Sequence, residues 1–229
     1  MSKKAFFITG TDTDVGKTQI AAGLLVAAKR AGLTTVALKP VAAGCEITPE
    51  GLRNSDALLL QSVMTEKLYY EQINPYAFAA PVAPHIAALQ EKRSLSADRL
   101  MGFCRGVLPL AQFGLVEGAG GWRVPINNHE TLADLAKQLQ LPVILVVGMR
   151  LGCINHALLT AEAIQRDGLT LAGWVANCVD ADMPVRDENI QSLQNRIPAP
   201  LLAVVPHLPH CAPDELAGYL DGAIAALML

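Results

Sequence analysis

The sequence predicts an α/β fold in which a mostly parallel sheet carries helices on both faces. Three observations lead there. Short apolar runs alternate repeatedly with helical segments of period 3.6. The runs are apolar at consecutive positions rather than at every second one, the pattern of strands buried on both faces. Finally, a glycine-bearing turn joins the first run to the first helical segment. Composition agrees, because 52% hydrophobic with only 5% aromatic residues means a core filled by Ala, Leu and Val. A length of 229 residues suits one large domain better than two small ones.

Taken in order, Ala5–Thr9 reads as the first strand, followed by the glycine turn. Lys17–Ala31 is the first helix, with Ile20, Ala21, Leu24, Leu25 and Ala28 on one face, and Gly32 stops it. Thr35–Lys39 is a second strand closed by Pro40. Residues 42–94 are the least regular part of the chain, with Pro49, Pro75, Pro81 and Pro84 and a short helix near Asp56–Met64. That stretch is too long for a bare loop and is expected to carry function. Beyond it, strands are expected at Phe113–Glu117, Pro142–Val147, Leu171–Asn177 and Leu201–Val205. Helices are expected at Ser96–Leu110, Thr131–Gln140, Asn155–Asp167, Arg186–Asn195 and Asp214–Met228. Such alternation builds a parallel sheet. With no internal repeat and no low-complexity linker, residues 1–229 are expected to form a single domain.

Charge and cysteine usage narrow the function classes. A net charge of −3 offers no basic field for nucleic acid. The five cysteines, Cys45, Cys104, Cys153, Cys178 and Cys211, are scattered and form no C-x-x-C pair, so they read as free thiols of a reducing compartment. The start is basic at Lys3 and Lys4, but the apolar stretch Ala5–Ile8 is too short for a signal peptide. No apolar run approaches the ~18 residues of a membrane span. A cytoplasmic protein with neither membrane nor nucleic-acid partners is the expectation.

The turn after the first strand reads Gly10-Thr11-Asp12-Thr13-Asp14-Val15-Gly16-Lys17-Thr18. It is one residue longer than the G-x-x-x-x-G-K-[ST] phosphate loop, yet it stands between an apolar strand and an amphipathic helix, as that loop's mechanism requires. Backbone N–H groups can turn onto phosphate oxygens, the helix N-terminus adds partial positive charge, and Lys17 can reach the terminal phosphates. Thr18 offers a hydroxyl to Mg²⁺. The fold is therefore expected to be of the P-loop NTPase type, binding ATP. Glu117 ends a buried strand and runs into Gly118, Ala119 and Gly120, at the sheet edge where open α/β folds bind ligands. It stands in the position of a Walker B acid. Asp56 lies in the first turn of a short helix and reads equally as a metal ligand or as helix-dipole compensation. Lys39, at the end of the second strand, is by itself an ordinary strand-end cation. Asn177-Cys178-Val179-Asp180 resembles the guanine-reading N-K-x-D pattern, but Cys178 replaces its lysine, which favours ATP.

Several segments in register carry a resemblance to a known family. They are the loop just quoted, Lys39-Pro40-Val41, Asn54-Ser55-Asp56, Val116-Glu117-Gly118-Ala119-Gly120-Gly121-Trp122, Gly152-Cys153-Ile154-Asn155-His156, Gly173-Trp174-Val175-Ala176-Asn177 and Pro198-Ala199-Pro200-Leu201-Leu202. Together they closely resemble dethiobiotin synthetases over essentially the whole chain. The resemblance implies an ATP- and Mg²⁺-dependent cyclo-ligase of biotin synthesis, closing the ureido ring of dethiobiotin from 7,8-diaminononanoate and CO₂. One amine is carbamated, the carbamate attacks the γ-phosphate, and the second amine displaces phosphate. By motif, Lys17 and Lys39 would neutralise charge during transfer, Thr18, Asp56 and Glu117 would serve Mg²⁺, and Thr13 would touch the carbamate. Asp14, Val15, Gly16, Gly118, Ala119 and Gly120 would line the nucleotide. Asn177 and Cys178 would meet the adenine, with Pro206, His207 and Leu208 lining the same pocket. Ala43 would lie at the substrate. The family is a homodimer, in which the helix start at Gly152, Cys153, Ile154 and Asn155 of one subunit meets the substrate carboxylate in the other.

Two positions depart from the family pattern. Where it commonly has Val-Ala-Ser-Gly, this chain has Val41-Ala42-Ala43-Gly44, and a tyrosine of some members is replaced around Asn189, departures that leave a divergent paralogue with an altered substrate as an alternative. Two rival readings share the fold. Partition-type ATPase switches carry a second lysine five residues before the first, where this chain has Asp12. Amide-forming synthetases of corrinoid metabolism need a glutamine-hydrolysing domain, for which this chain has no room. Other residues read as structural: His207 and His210 as solvated loop histidines, His85 as a helix opener, and Cys153 as a small packed residue. Trp122 either shields the site or packs.

Overall fold

The computed structural model describes residues 3–209 and 211–229; Met1, Ser2 and His210 of the histidine pair lie outside the described residues. Strand β1 (Lys4–Gly10) leads through the phosphate loop into α1 (Lys17–Arg30), and β2 (Thr35–Leu38) follows. The irregular stretch then resolves into small elements: β3 (Val41–Ala42), β4 (Glu46–Thr48), β5 (Gly51–Arg53), α2 (Ser55–Val63), α3 (Tyr70–Ile73), β6 (Tyr76–Ala77) and α4 (Pro84–Gln90). Next come α5 (Ala97–Val107), β7 (Phe113–Glu117), α6 (Leu132–Leu139), β8 (Val143–Gly148) and α7 (Cys153–Arg166). The chain closes with β9 (Leu171–Asn177), α8 (Arg186–Gln194), β10 (Leu201–Val205) and α9 (Pro213–Met228).

Six strands form one parallel sheet in the order β10-β9-β8-β1-β7-β2. β7 and β8 are buried at every residue, as their unbroken apolar runs require. The order places β1 between β7 and β8, while the chain from β1 travels outward to β2. This reversal makes a switch point at the C-terminal ends of β1 and β7, where a crevice opens. Ile8 of β1 pairs with Glu117 of β7, so the phosphate loop and the strand-end carboxylate emerge side by side.

Element ends match the sequence expectation, as in β7, β9 and β10, or differ from it by one to three residues, and cap residues account for several of the helix ends. Helix α7 starts at Cys153 because Gly152, with φ 93°, turns the chain into it. Ser96 and Thr131 sit just outside α5 and α6 as N-caps: the Ser96 hydroxyl accepts the Arg99 N–H, and the Thr131 N–H donates to the Asp134 carboxylate. Pro109 lies in a 3₁₀ turn that follows α5. The larger difference is the 42–94 region. Val41–Ala42 pairs in parallel with Tyr76–Ala77, and β4 with β5 forms a hairpin, so this region is an ordered wall beside the sheet.

On the sheet, α1 packs against α9. Gly23 makes this close approach possible, since a Cβ there would stand 2.7 Å from Leu220 Cδ1. Trp122 is part of the packing and does not face the crevice. It is buried, meets Phe7 edge-on at 5.9 Å, and its Nε1 donates to Asp167 Oδ2 at 2.8 Å. Trp122→Phe is therefore expected to cost about 1–2 kcal/mol of stability, for one lost charge-assisted hydrogen bond. Urea denaturation would read that loss, and the KM for ATP should stay within error of wild type.

Candidate active site

The crevice at the switch point is a cavity of about 640 Å³. Its floor is the phosphate loop. Gly16 caps α1 in the left-handed region at φ 84°, and a Cβ there would stand 2.2 Å from Asn177 Nδ2. A glycine is needed on both counts. The space it leaves admits the Asn177 amide, which donates to the Val15 carbonyl at 2.9 Å and ties β9 to the loop. Further along, Thr13 N–H bonds to Asp12 Oδ1 at 2.8 Å, and Asp12 Oδ2 pairs with Arg150 at 2.7 Å. The extra loop residue is thus held by the turn that follows β8.

Four side chains from four elements converge at the back of the cavity. Lys39 Nζ stands 2.6 Å from Glu117 Oε1 and 3.0 Å from Asp56 Oδ2. It also lies 3.3 Å from the Gly118 carbonyl. Thr18 Oγ1 donates to Glu117 Oε1 at 2.8 Å. Glu117 is buried, and its second carboxylate oxygen, Oε2, has no partner among the described residues. An orphaned, buried carboxylate oxygen beside a hydroxyl and a second carboxylate is an oxygen donor set of the kind Mg²⁺ takes when phosphates complete its shell. The residues present therefore fit that ion. Among the described residues no group of three or more His, Cys, Asp or Glu side chains could hold a metal alone. Geometry also resolves Asp56: its carboxylate faces Lys39 across the cavity and does more than compensate a helix dipole.

The two lysines differ electrostatically. Lys39 is fully enclosed, which alone would lower its pKa, but the Glu117 and Asp56 carboxylates outweigh burial and hold it above the usual lysine value. Among the described residues, Lys17 has only the Asp12 carbonyl within hydrogen-bond reach, at 2.8 Å. Burial, and then the Lys39 charge, push it down to about 8. One ammonium is locked in an ion pair, and the other is poised to gain an anion.

The expected site residues sort into three groups. Thr13, Asp14, Gly16, Lys17, Thr18, Lys39, Ala43, Asp56, Glu117, Ala119 and Gly120 line the main cavity. Asn177, Pro206 and Leu208 line a second cavity of about 250 Å³, and Gln19 borders both. Val15 is buried beneath the loop, and Cys178 is buried beside Asn177, with its carbonyl 3.2 Å from His207 Nδ1. His207 itself is exposed and borders neither cavity. Gly152, Cys153, Ile154 and Asn155 open α7 and line neither cavity; Arg150, on the turn before them, is their link to the loop. Sequence reasoning missed Gln19, Asn54, Val124, Arg150 and the Pro81–Pro84 wall. Gln19 follows Thr18 directly and Asn54 stands two residues before Asp56, so both were within reach of their motifs, and Pro81–Pro84 falls in the 42–94 stretch expected to carry function; Val124 and Arg150 are brought in by tertiary contacts.

Known proteins resemble this chain in sequence and in fold. Residues 4–215 fit the family described as AAA domain. An ATP-dependent dethiobiotin synthetase of Cellvibrio japonicus is 69% identical over 96% of this chain and 97% of its own length. One from Pseudomonas aeruginosa is 60% identical over 95% and 96%, and one from Marinobacter nauticus 51% over 96% and 95%. Among solved structures, the septum site-determining protein MinD with Mg-ADP from Pyrococcus horikoshii aligns with a TM-score of 0.58 at 17% identity. That alignment covers 99% of this chain and 93% of the other. A ParA family ATPase from Chlorobium tepidum aligns at 0.56 and 12%, covering 98% and 91%. These two share the fold alone; the sequence relatives are matched end to end, and the chain belongs to the ATP-dependent dethiobiotin synthetase family.

Proposed function

We propose that this protein is an ATP- and Mg²⁺-dependent cyclo-ligase that makes dethiobiotin from 7,8-diaminononanoate and CO₂. The observation that carries the reading is the meeting of Lys39, Asp56, Glu117 and Thr18 beside Lys17 in one cavity. Phosphoryl transfer needs positioning and charge stabilisation more than a protein nucleophile, and this set supplies both.

In the proposed sequence, CO₂ adds to one amine to give a carbamate and releases a proton. A carbamate oxygen attacks the γ-phosphorus, the bond to the bridging oxygen breaks, and ADP leaves. The second amine then attacks the carbamate carbon and expels inorganic phosphate, closing the ring. Lys17 would meet the terminal phosphates, Lys39 the charge that develops between carbamate and phosphate, and Thr13 the carbamate. Thr18, Asp56 and Glu117 would hold Mg²⁺, which supplies charge neutralisation at the phosphates. Asp14, Gly118, Ala119 and Gly120 would flank the nucleotide, and adenine would enter the smaller cavity against Asn177, Pro206 and Leu208. We further propose a single catalytic domain in a cytoplasmic homodimer acting on small molecules, without nucleic-acid or membrane partners. Leu151, almost fully exposed immediately before Gly152, supports an apolar contact between subunits at the start of α7.

Phosphate release with Mg-ATP and bicarbonate, with and without the diamine, tests the reading. Release that depends on the diamine, with dethiobiotin identified by mass, is expected; equal release without it would sink the ligase assignment. Ala43 lines the cavity and brings no hydroxyl to it. Ala43→Ser is expected to lower the KM for the diamine about 2–10-fold, the worth of one hydrogen bond. Steady-state kinetics at saturating ATP would measure it.

A further inference from the structure

Behind the cavity, a chain of buried hydrogen bonds joins the two residues that face each other across it. Asn54, the N-cap of α2, donates its backbone N–H to Tyr70 Oη at 2.7 Å. The Tyr70 hydroxyl donates to Asn74 Oδ1 at 2.9 Å. Asn74 Nδ2 donates to the Lys39 carbonyl at 2.6 Å, while the Lys39 N–H donates to the Ile73 carbonyl at 2.9 Å. The Lys39 side chain then returns to Asp56 Oδ2 at 3.0 Å, two residues after Asn54. The circuit is closed: Lys39 backbone, Asn74, Tyr70, Asn54, Asp56, Lys39 ammonium. Every donor in it has one direction, because the Lys39 carbonyl can only accept and so fixes the Asn74 amide.

Tyr70, Asn74 and Asn54 are buried, and the Arg53 guanidinium covers the Tyr70 ring at 4.2 Å. Burial raises the Tyr70 phenol above its ordinary value, so the hydroxyl remains a donor. The one-turn helix α3 therefore clips two catalytic elements together: both backbone polar groups of Lys39 at one end, and the first turn of α2 at the other.

We propose that Tyr70 and Asn74 are positioning residues of the phosphoryl-transfer site, setting the separation of Lys39 and Asp56; this rests on the ligase reading above. Buried networks act as units, so loss of one link is felt at the far end. A displacement of about 1 Å at reacting groups can cost on the order of 100-fold in rate.

The test is Tyr70→Phe, which keeps the ring beneath Arg53 and removes only the hydroxyl. The expected result is a fall in kcat of about tenfold, with the KM for Mg-ATP rising no more than about fivefold, because the phosphate loop and the smaller cavity are untouched and only the metal contact weakens. In an Asp56→Asn background the same substitution should cost under about threefold, since its effect passes through Asp56. A second readout needs no diamine: Mn²⁺ affinity measured by paramagnetic resonance with the β,γ-imido analogue of ATP, expected to weaken about fivefold. Asn74→Asp serves if Tyr70→Phe does not fold. It keeps the acceptor for Tyr70 and removes the donor to Lys39, with the same kcat and Mn²⁺ losses expected. A folded variant with unchanged kcat and Mn²⁺ affinity, a lowered Tm without either loss, or an equal loss in the Asp56→Asn background overturns the proposal. A wild-type protein that makes no product but whose Mn²⁺ affinity falls in Tyr70→Phe overturns the ligase reading and leaves the positioning role standing.

Discussion

Lys39→Met is expected to lower kcat for diamine-dependent phosphate release about 10²–10³-fold, the loss typical of removing one preorganised donor to a developing charge. The same substitution should also weaken the fold. Lys39 neutralises Glu117, which is buried and, among the described residues, otherwise bonded only to Thr18. Breaking a buried pair by removing one partner strands the other charge, at a cost of about 3–5 kcal/mol. Adding Glu117→Gln should restore much of the stability and none of the turnover. Thermal melts and single-turnover phosphate release on the single and double variants would check both halves. Full turnover in Lys39→Met, or a stability loss that Glu117→Gln leaves in place, contradicts this assignment.

Lys17→Ala should also remove turnover, through the opposite energetics. Among the described residues Lys17 has no carboxylate within ion-pairing distance, and burial lowers its pKa to about 8. The folded protein at pH 7 thus holds an ammonium it disfavours, while the unfolded chain titrates at the usual value of 10.5. Between these two values the unfolded chain binds more protons, so this residue's contribution makes stability rise with pH. Removing it should leave stability unchanged or slightly higher. Nucleotide affinity should fall about 10–100-fold, for one charge-assisted phosphate contact. The same pKa sets a pH signature in the wild type. Metal-free ATP binding should be flat below pH about 8 and weaken by up to about tenfold per unit above it, as the free protein sheds the proton the complex keeps. Lys17→Arg should flatten that slope, since guanidinium stays charged. Calorimetric titrations across pH 7–9.5 would show it. A tightly binding Lys17→Ala variant, or a slope surviving in Lys17→Arg, contradicts the role.

Much of this protein was legible in its sequence because the signals are local. The phosphate loop is one contiguous segment between a strand and a helix, and each of its parts acts within a few residues of its neighbours. Glu117 was legible for the same reason: an acid ending an unbroken apolar run must stand at the rim of the sheet. Strand and helix order followed from periodicity, and several of the helix ends that moved did so by cap residues whose bonds form in the structure.

What tertiary structure alone decided is which distant segments meet. Asp56 could have served a helix dipole, and Lys39 could have been a solvated strand end. Strand order brings β2 and β7 together, and with them Lys39 and Glu117, while α2 carries Asp56 to the same cavity. Trp122 could have covered the site, yet it packs on Phe7. The 42–94 stretch read as irregular because its strands are too short to show a period, and only their pairing reveals the clip at Tyr70 and Asn74. Side-chain type and spacing specify what a residue can do; the partner that makes it do so lies tens of residues away, and only the folded sheet brings the two together.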